Sequence, residues 1–456
     1  MRLGCAFLFC LFTLTFTSPA QQIISLSDSP AGQKVTAYIK AFNSGDTTVM
    51  REYILHQYSE TMLHDVPMSQ RLERYQQFFA MTQGLTLQKV LTLREEYIKT
   101  IVKAGDGKIL AMIFEFDERM PHGIVGINID EDTGESTVKP VKNDAELITN
   151  TMEYVDKMAS TDDFSGVVLI AKNGEPLFMN AWGFADKENN MPNTTDTKFN
   201  IGSMDKSFTA FAIHKLAAQG KLKFTDPIKT FLPEYPNGEA ARKVTIKHLL
   251  EMTSGIGDFF GERFMTARKE NIKRLKDYLP LFADKQLEFE PGVRTRYSNG
   301  GYIVLGMIIE HITSTDYYEY IKKELFNPAG MTKTDWFERT MLPVNCAVGY
   351  TNTMETGRDS VRHRNTEFLP QKGSSAGGGY STAHDLLLYV KALQSSTFTP
   401  KSFGAQNGMG IAGGTAGVNA ALEWDKRSGY VIIVLSNYDP PVAEKISRQV
   451  RMLLGI

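Results

Sequence analysis

Cysteine is scarce, neither sign of charge is in excess, and past the first residues no long hydrophobic run occurs. Three cysteines serve 456 residues, and Cys5 and Cys10 lie inside an apolar N-terminal stretch. That leaves Cys346 alone, which excludes an intramolecular disulfide framework and a paired-thiolate metal site. Lysine and arginine number 50 against 52 aspartates and glutamates, a formal net charge of -2. No run of basic residues offers a nucleic-acid footprint, so no nucleic-acid partner is expected. The eight histidines fall in neither HExxH nor HxxxH spacing, and no metal or other cofactor is expected. After residue 20 no stretch reaches the roughly 18 apolar residues that a membrane-spanning helix needs.

What is present begins with MRLGCAFLFCLFTLTFTSPA: one arginine, an apolar run from Leu3 to Phe16, then small residues at Ser18 and Ala20. This reads as a signal peptide, residues 1–20, cleaved after Ala20, and predicts a periplasmic or secreted protein. Residues 21–145 read as a small α+β domain. Val35, Tyr38, Ile39 and Phe42 recur at helical spacing, Gly45-Asp46 closes that helix and caps a second, and a third covers Gln70 to Thr82. Four alternating runs follow, from Thr86 to Ile129, with Ala104-Gly105-Asp106-Gly107 as a hairpin turn. This order is similar to the cone-shaped fold of the nuclear transport factor family. His56, His64 and Asp65 are candidates to line a cavity there, although an accessory, non-catalytic role is the plainer reading. Polar residues Asp130 to Asn143 suit a linker.

Residues 146–456 show β-rich ends around a helical middle. A helix at Leu147 to Met158 precedes a hairpin turning at Asn173-Gly174, and the mirror arrangement closes the chain, with strands Val418 to Trp424 and Tyr430 to Ser436 before a helix to Leu454. The expectation is α+β: one antiparallel sheet flanked by helices, plus a helical subdomain. Gly408 to Gly413 matches GxGxxG, but a strand-like run follows it where a dinucleotide fingerprint needs a helix. Gly373-Ser374-Ser375-Ala376-Gly377 matches GxSxG, yet the Asp and His that must follow in order are absent, so it reads as a glycine-rich loop.

Ser203-Met204-Asp205-Lys206 is the stronger candidate. Ser203 and Lys206 share one face of a helix that opens after Gly202, so the amine reaches the hydroxyl. A serine hydroxyl attacks only when a base takes its proton, and lysine is that base only when burial holds it neutral. Ser136-Thr137-Val138-Lys139 has the same spacing in a polar linker and reads as chance. Asp205 reads as solvent-facing or structural, and His248 as a packing residue.

Phe199 to Thr209 resembles the nucleophile segment of the class C β-lactamase-like, or penicillin-binding-protein-like, serine hydrolases. Val244 to Gly255, Pro291-Gly292 before Tyr297-Ser298-Asn299, and Gly377 to Leu386 extend the resemblance along the domain. It implies a β-lactamase/transpeptidase-like fold with Ser203, Lys206 and Tyr297 catalytic: Tyr297 shuttling a proton while Lys206 stabilises its anion. It also implies that Asn299 binds substrate, and that the N–H groups of Ser203 and Gly414 form an oxyanion hole beside Gly413. The third family motif departs here: Ile411-Ala412-Gly413 keeps the glycine and loses the cation, the group that grips a substrate carboxylate. The expected activity is therefore an acyl-enzyme serine hydrolase acting on a small ester or amide, esterase-like. Alternatives are a β-lactamase or D-alanyl-D-alanine carboxypeptidase or D-aminopeptidase type of enzyme acting on peptides, and a non-catalytic penicillin-binding-like module. Phe259 and Phe260, after the Gly255-Ile256-Gly257 turn, are candidate pocket residues.

Overall fold

Ser29 and Asp46 start the first two helices. Ser29 Oγ accepts the Gly32 N–H at 3.0 Å and Pro30 fills the first position of α1 (Pro30–Asn43). Asp46 accepts the Thr48 N–H at 2.6 Å to open α2 (Thr47–Gln57). In the computed structural model, which describes residues 26, 29–59, 62–63, 68–93, 97–117, 123–130, 139–354, 357–404 and 408–456, these are followed by α3 (Met68–Thr82). Then come β1 (Leu85–Leu93), β2 (Tyr97–Ala104), β3 (Ile109–Phe116) and β4 (Ile124–Asp130). The four strands form an antiparallel meander in sequence order, and the Gly107 N–H closes the anticipated turn onto the Ala104 carbonyl at 2.9 Å. Val35, Tyr38 and Phe42 of α1 are buried against the sheet, with the Tyr38 and Phe114 rings edge to face at 5.3 Å. His56 is exposed on α2, its Nδ1 2.7 Å from the Glu52 carbonyl; His64, Asp65 and the first 20 residues lie outside the described residues.

The chain divides into two units between Thr137 and Val138, a little before the position near 145 suggested by linker composition. The difference has a local cause: the Val141 N–H donates to the Leu453 carbonyl at 2.8 Å, tying this stretch to the second unit. There α4 (Asp144–Ser160), capped by Asn143, leads into β5 (Gly166–Lys172) and β6 (Glu175–Trp182). The end of the chain supplies β7 (Gly408–Thr415), β8 (Val418–Asp425), β9 (Tyr430–Ser436) and a closing helix (Val442–Leu454). All pairings are antiparallel, in the order β7-β8-β9-β5-β6. The central strands are apolar throughout because both faces are covered. Val167, Leu169 and Ala171 face one core with the helical middle of the chain, whereas Val168 and Ile170 face another with Leu147, Val155, Ile446 and Val450. The α+β expectation is met.

The GxGxxG residues lie within β7, the edge strand, so the sequence match has no helix opening on it. Gly413 is required by close approach: a Cβ there would lie 2.0 Å from the Ile201 carbonyl oxygen and 2.8 Å from the Ser203 nitrogen. Edge strand and nucleophile segment therefore touch backbone to backbone. Gly413→Ala should cost about 1–3 kcal/mol through overpacking, read as a lower unfolding midpoint in denaturant, with activity lost more steeply than stability because the strain falls at Ser203.

Candidate active site

Ser203 sits in a single 3-10 turn, Gly202–Met204, that runs into a helix over Asp205–Ala218. Gly202 has φ of 51°, a left-handed conformation that turns the chain from Phe199-Asn200 into the helix and exposes Ser203 at its start. Phe208, Phe211 and Ala212 bury the helix in the core. Asp205 is fully buried, which overturns a solvent-facing position and leaves the structural one. One of its oxygens accepts the Gly379 N–H at 2.6 Å and the Trp336 Nε1–H at 2.9 Å. Its other oxygen has no donor among the described residues, and burial pushes its pKa up to about 7.

Lys206, one turn from Ser203, places Nζ 3.1 Å from Ser203 Oγ and 2.7 Å from Asn299 Oδ1, and also against the Ala376 carbonyl. Burial lowers its pKa to about 7, with Asp258 and then Asp205 opposing that fall. A neutral amine has two N–H donors and one lone pair. Asn299 Oδ1 and the Ala376 carbonyl take the donors, and the lone pair is left to face Ser203 Oγ. On the other side the Tyr297 hydroxyl donates to Ser203 Oγ at 2.7 Å. Burial raises the Tyr297 pKa, a change opposite to that needed for a standing phenolate. Of the two neighbours, Lys206 has the better-populated basic form near neutral pH.

Tyr297 and Asn299 flank Ser298, whose Oγ accepts the Gly301 N–H at 2.9 Å and caps the helix Asn299–Thr313. Asp258 then settles which way the Asn299 amide points: its Oδ2 accepts Asn299 Nδ2–H at 2.6 Å, which leaves Oδ1 for Lys206. The GxSxG loop is a buttress. Ser375 is fully buried and its hydroxyl donates to the Tyr302 carbonyl at 2.8 Å, while Ala376 beside it turns its carbonyl to Lys206. His248 does pack as a helix cap, exchanging bonds with Thr245 at 3.3 Å in both directions.

These groups open onto a cavity of about 380 Å³ whose wall includes Ser203, Tyr297, Asn299, Ala412, Gly413, Gly414 and Thr415. Phe259 and Phe260 line it with Tyr278, Phe337, Leu369 and Pro370, so one side is apolar. Ile411 packs against the main core while the next four residues of β7 form the wall. A Cβ on Gly202 would lie 2.9 Å from the Gly414 nitrogen, so the backbone N–H groups of Ser203 and Gly414 both border the cavity where the two segments cross. Ser203, Lys206, Tyr297 and Asn299 are thus brought together, with Gly413 and Gly414 beside them. Sequence reasoning missed Asp258 and the Ala376 carbonyl. Asp258 follows the Gly255-Ile256-Gly257 turn and is 41 residues from Asn299, and a carbonyl has no residue type to betray it.

The serine, the amine and the phenol on this fold define a serine hydrolase of the β-lactamase-like type. The family model "Beta-lactamase" matches residues 153–455, and the chain belongs to that family. PbpX of Bacillus subtilis (strain 168) is 32% identical over 296 residues, 60% of this chain and 71% of PbpX. The crystal structure of a penicillin binding protein from Bacillus halodurans is 29% identical with a TM-score of 0.59, covering 67% of this chain and 99% of that one. EstCE1, described as a hydrolase with promiscuous acyltransferase activity, shares the fold with a TM-score of 0.56 at 19% identity, covering 68% of this chain and 99% of that one.

Because only neutral Lys206 accepts a proton, kcat/KM for an ester should rise with pH through a limb near 7. Asp258→Asn removes the carboxylate that most strongly opposes the fall in the Lys206 pKa and should move that limb to lower pH. A pH–rate profile of both proteins with p-nitrophenyl acetate is the check.

Proposed function

We propose that this protein is an exported serine hydrolase that forms an acyl-enzyme at Ser203 on an ester or amide with an apolar acyl group. The reading rests on one observation above the rest: Ser203 Oγ lies within hydrogen-bond reach of both a buried amine and a phenol, at the mouth of an aromatic cavity. Ser203 Oγ bonds to the substrate carbonyl carbon while its proton passes to Lys206 Nζ. The carbonyl oxygen gains the charge and takes the N–H groups of Ser203 and Gly414. As the tetrahedral centre collapses, the bond to the leaving group breaks, Tyr297 gives that group a proton, and the Tyr297 oxygen recovers one from Lys206. Water then attacks the acyl-enzyme with the same groups acting in reverse. Asn299, fixed by Asp258, holds Lys206 in register.

Esters and neutral amides are favoured over β-lactams and C-terminal peptides because Ile411 stands where the family has a cation. Export rests on the sequence of residues 1–20, and the N-terminal unit is read as an accessory domain of the cone-shaped class.

The test is a fluorophosphonate probe and p-nitrophenyl acetate applied to the mature protein. The probe should label Ser203, located by peptide mass spectrometry, and the ester should turn over. Ser203→Ala should abolish both with a nearly unchanged melting temperature, and folded wild-type protein that takes no label and turns over no ester would refute the reading. Tyr297→Phe should lower kcat by about 10²–10⁴-fold, the range for loss of a general acid–base group, measured with the same ester.

A further inference from the structure

The closing helix places a carboxylate in the wall of the active-site cavity. Ala443 at its start donates its N–H to Asn419 Oδ1 at 2.6 Å, and Asn419 Nδ2 donates to the Gly413 carbonyl at 3.3 Å. The ring of Pro440 sits where a Cβ on Gly414 would be, at 2.6 Å. Through these contacts the first turn of the helix is locked onto the oxyanion-hole end of β7. Glu444, the next residue, lines the cavity there.

Glu444 is not satisfied by the protein. Its Oε2 is buried with no hydrogen-bond partner among the described residues. The other charged residue in the cavity wall, Arg339, is already committed: its guanidinium donates to the carbonyls of Thr366 and Leu369. A carboxylate withdrawn from water without a donor is costly unless something else compensates it. The first turn of the helix offers its dipole, which is a weak, short-range compensation. An incoming cation would complete it with a charge-assisted hydrogen bond, and an incoming carboxylate would meet like charge at short range in a partly dry site.

Building on the serine hydrolase reading above, we propose that Glu444 is the specificity determinant of this cavity, selecting substrates that carry an ammonium group beside the scissile bond and rejecting those that carry a carboxylate. The lost cation at Ile411 and the carboxylate at Glu444 act in the same direction. One removes the group that would hold an anionic substrate, and the other supplies its opposite a few residues away in space. The substrate class is then an amine-bearing ester or amide with an apolar portion against Phe259 and Phe260.

The test is competitive inhibition of p-nitrophenyl acetate turnover by three molecules of one shape: phenethylammonium, 2-phenylethanol and phenylacetate. In the wild-type protein phenethylammonium should bind about tenfold or more tightly than 2-phenylethanol, the order expected of one charge-assisted contact, and phenylacetate should bind most weakly. Glu444→Gln should collapse the ammonium-to-alcohol ratio towards one, and Glu444→Lys should reverse the order in favour of phenylacetate. Because the readout is a ratio within each protein, a loss of stability or of overall rate in a variant does not mimic the effect. Turnover with equal inhibition by all three, or a preference for the ammonium that persists in Glu444→Gln, overturns the proposal alone. Absence of ester turnover in folded wild-type protein overturns the hydrolase reading and this proposal with it.

Discussion

The site depends on a lysine amine taken out of water and fixed by carbonyl acceptors. Desolvation makes Lys206 basic at neutral pH, because the ammonium loses more than the amine when water is removed. Orientation makes that basicity usable: with Asn299 Oδ1 and the Ala376 carbonyl as acceptors, the remaining position on nitrogen points to Ser203. Each acceptor is itself held. Asn299 is turned by Asp258, and Ala376 lies in a loop pinned by buried Ser375. The amine is thus positioned by three separate parts of the chain, and the enzyme-like character of the site follows from their convergence.

The fold supplies that convergence through close backbone contact. Gly202 and Gly413 let the nucleophile turn and the edge strand approach to distances that no side chain would allow. The same contact sets the two backbone N–H groups beside the cavity at no cost in side-chain ordering. The buried Asp205 carboxylate joins Trp336 to the Gly379 backbone under this turn, so the floor of the site is polar yet closed. The central strands β5 and β9, covered on both faces, carry the rigid frame on which these pieces rest.

Much of this was legible in the chain itself. Hydrophobic alternation and turn residues located the strands of both units, and apolar periodicity the principal helices, because those patterns are imposed by burial and show directly in residue type. Ser203, Lys206, Tyr297 and Asn299 were legible for a different reason: spacing puts the first pair on one helical face, and resemblance to a family adds the second. Asp258, the Ala376 carbonyl and Glu444 were not legible. Their roles arise from tertiary contact between distant segments, and nothing local marks a carboxylate as facing an amide or a cavity. Asp205 misled for the same reason, since an aspartate at the start of a helix is ordinarily solvated, and only the packing of Trp336 over it shows that it is enclosed.

The measurement that bears most directly on this account is the titration of the Lys206 amine, followed by the ¹³Cε resonance of labelled lysine and assigned by its absence in Lys206→Arg. The account predicts a midpoint near 7, far below the other lysines. A Lys206 that titrates with them, near the ordinary lysine value of about 10.4, would show an amine that stays charged at neutral pH and would contradict its role as the base for Ser203.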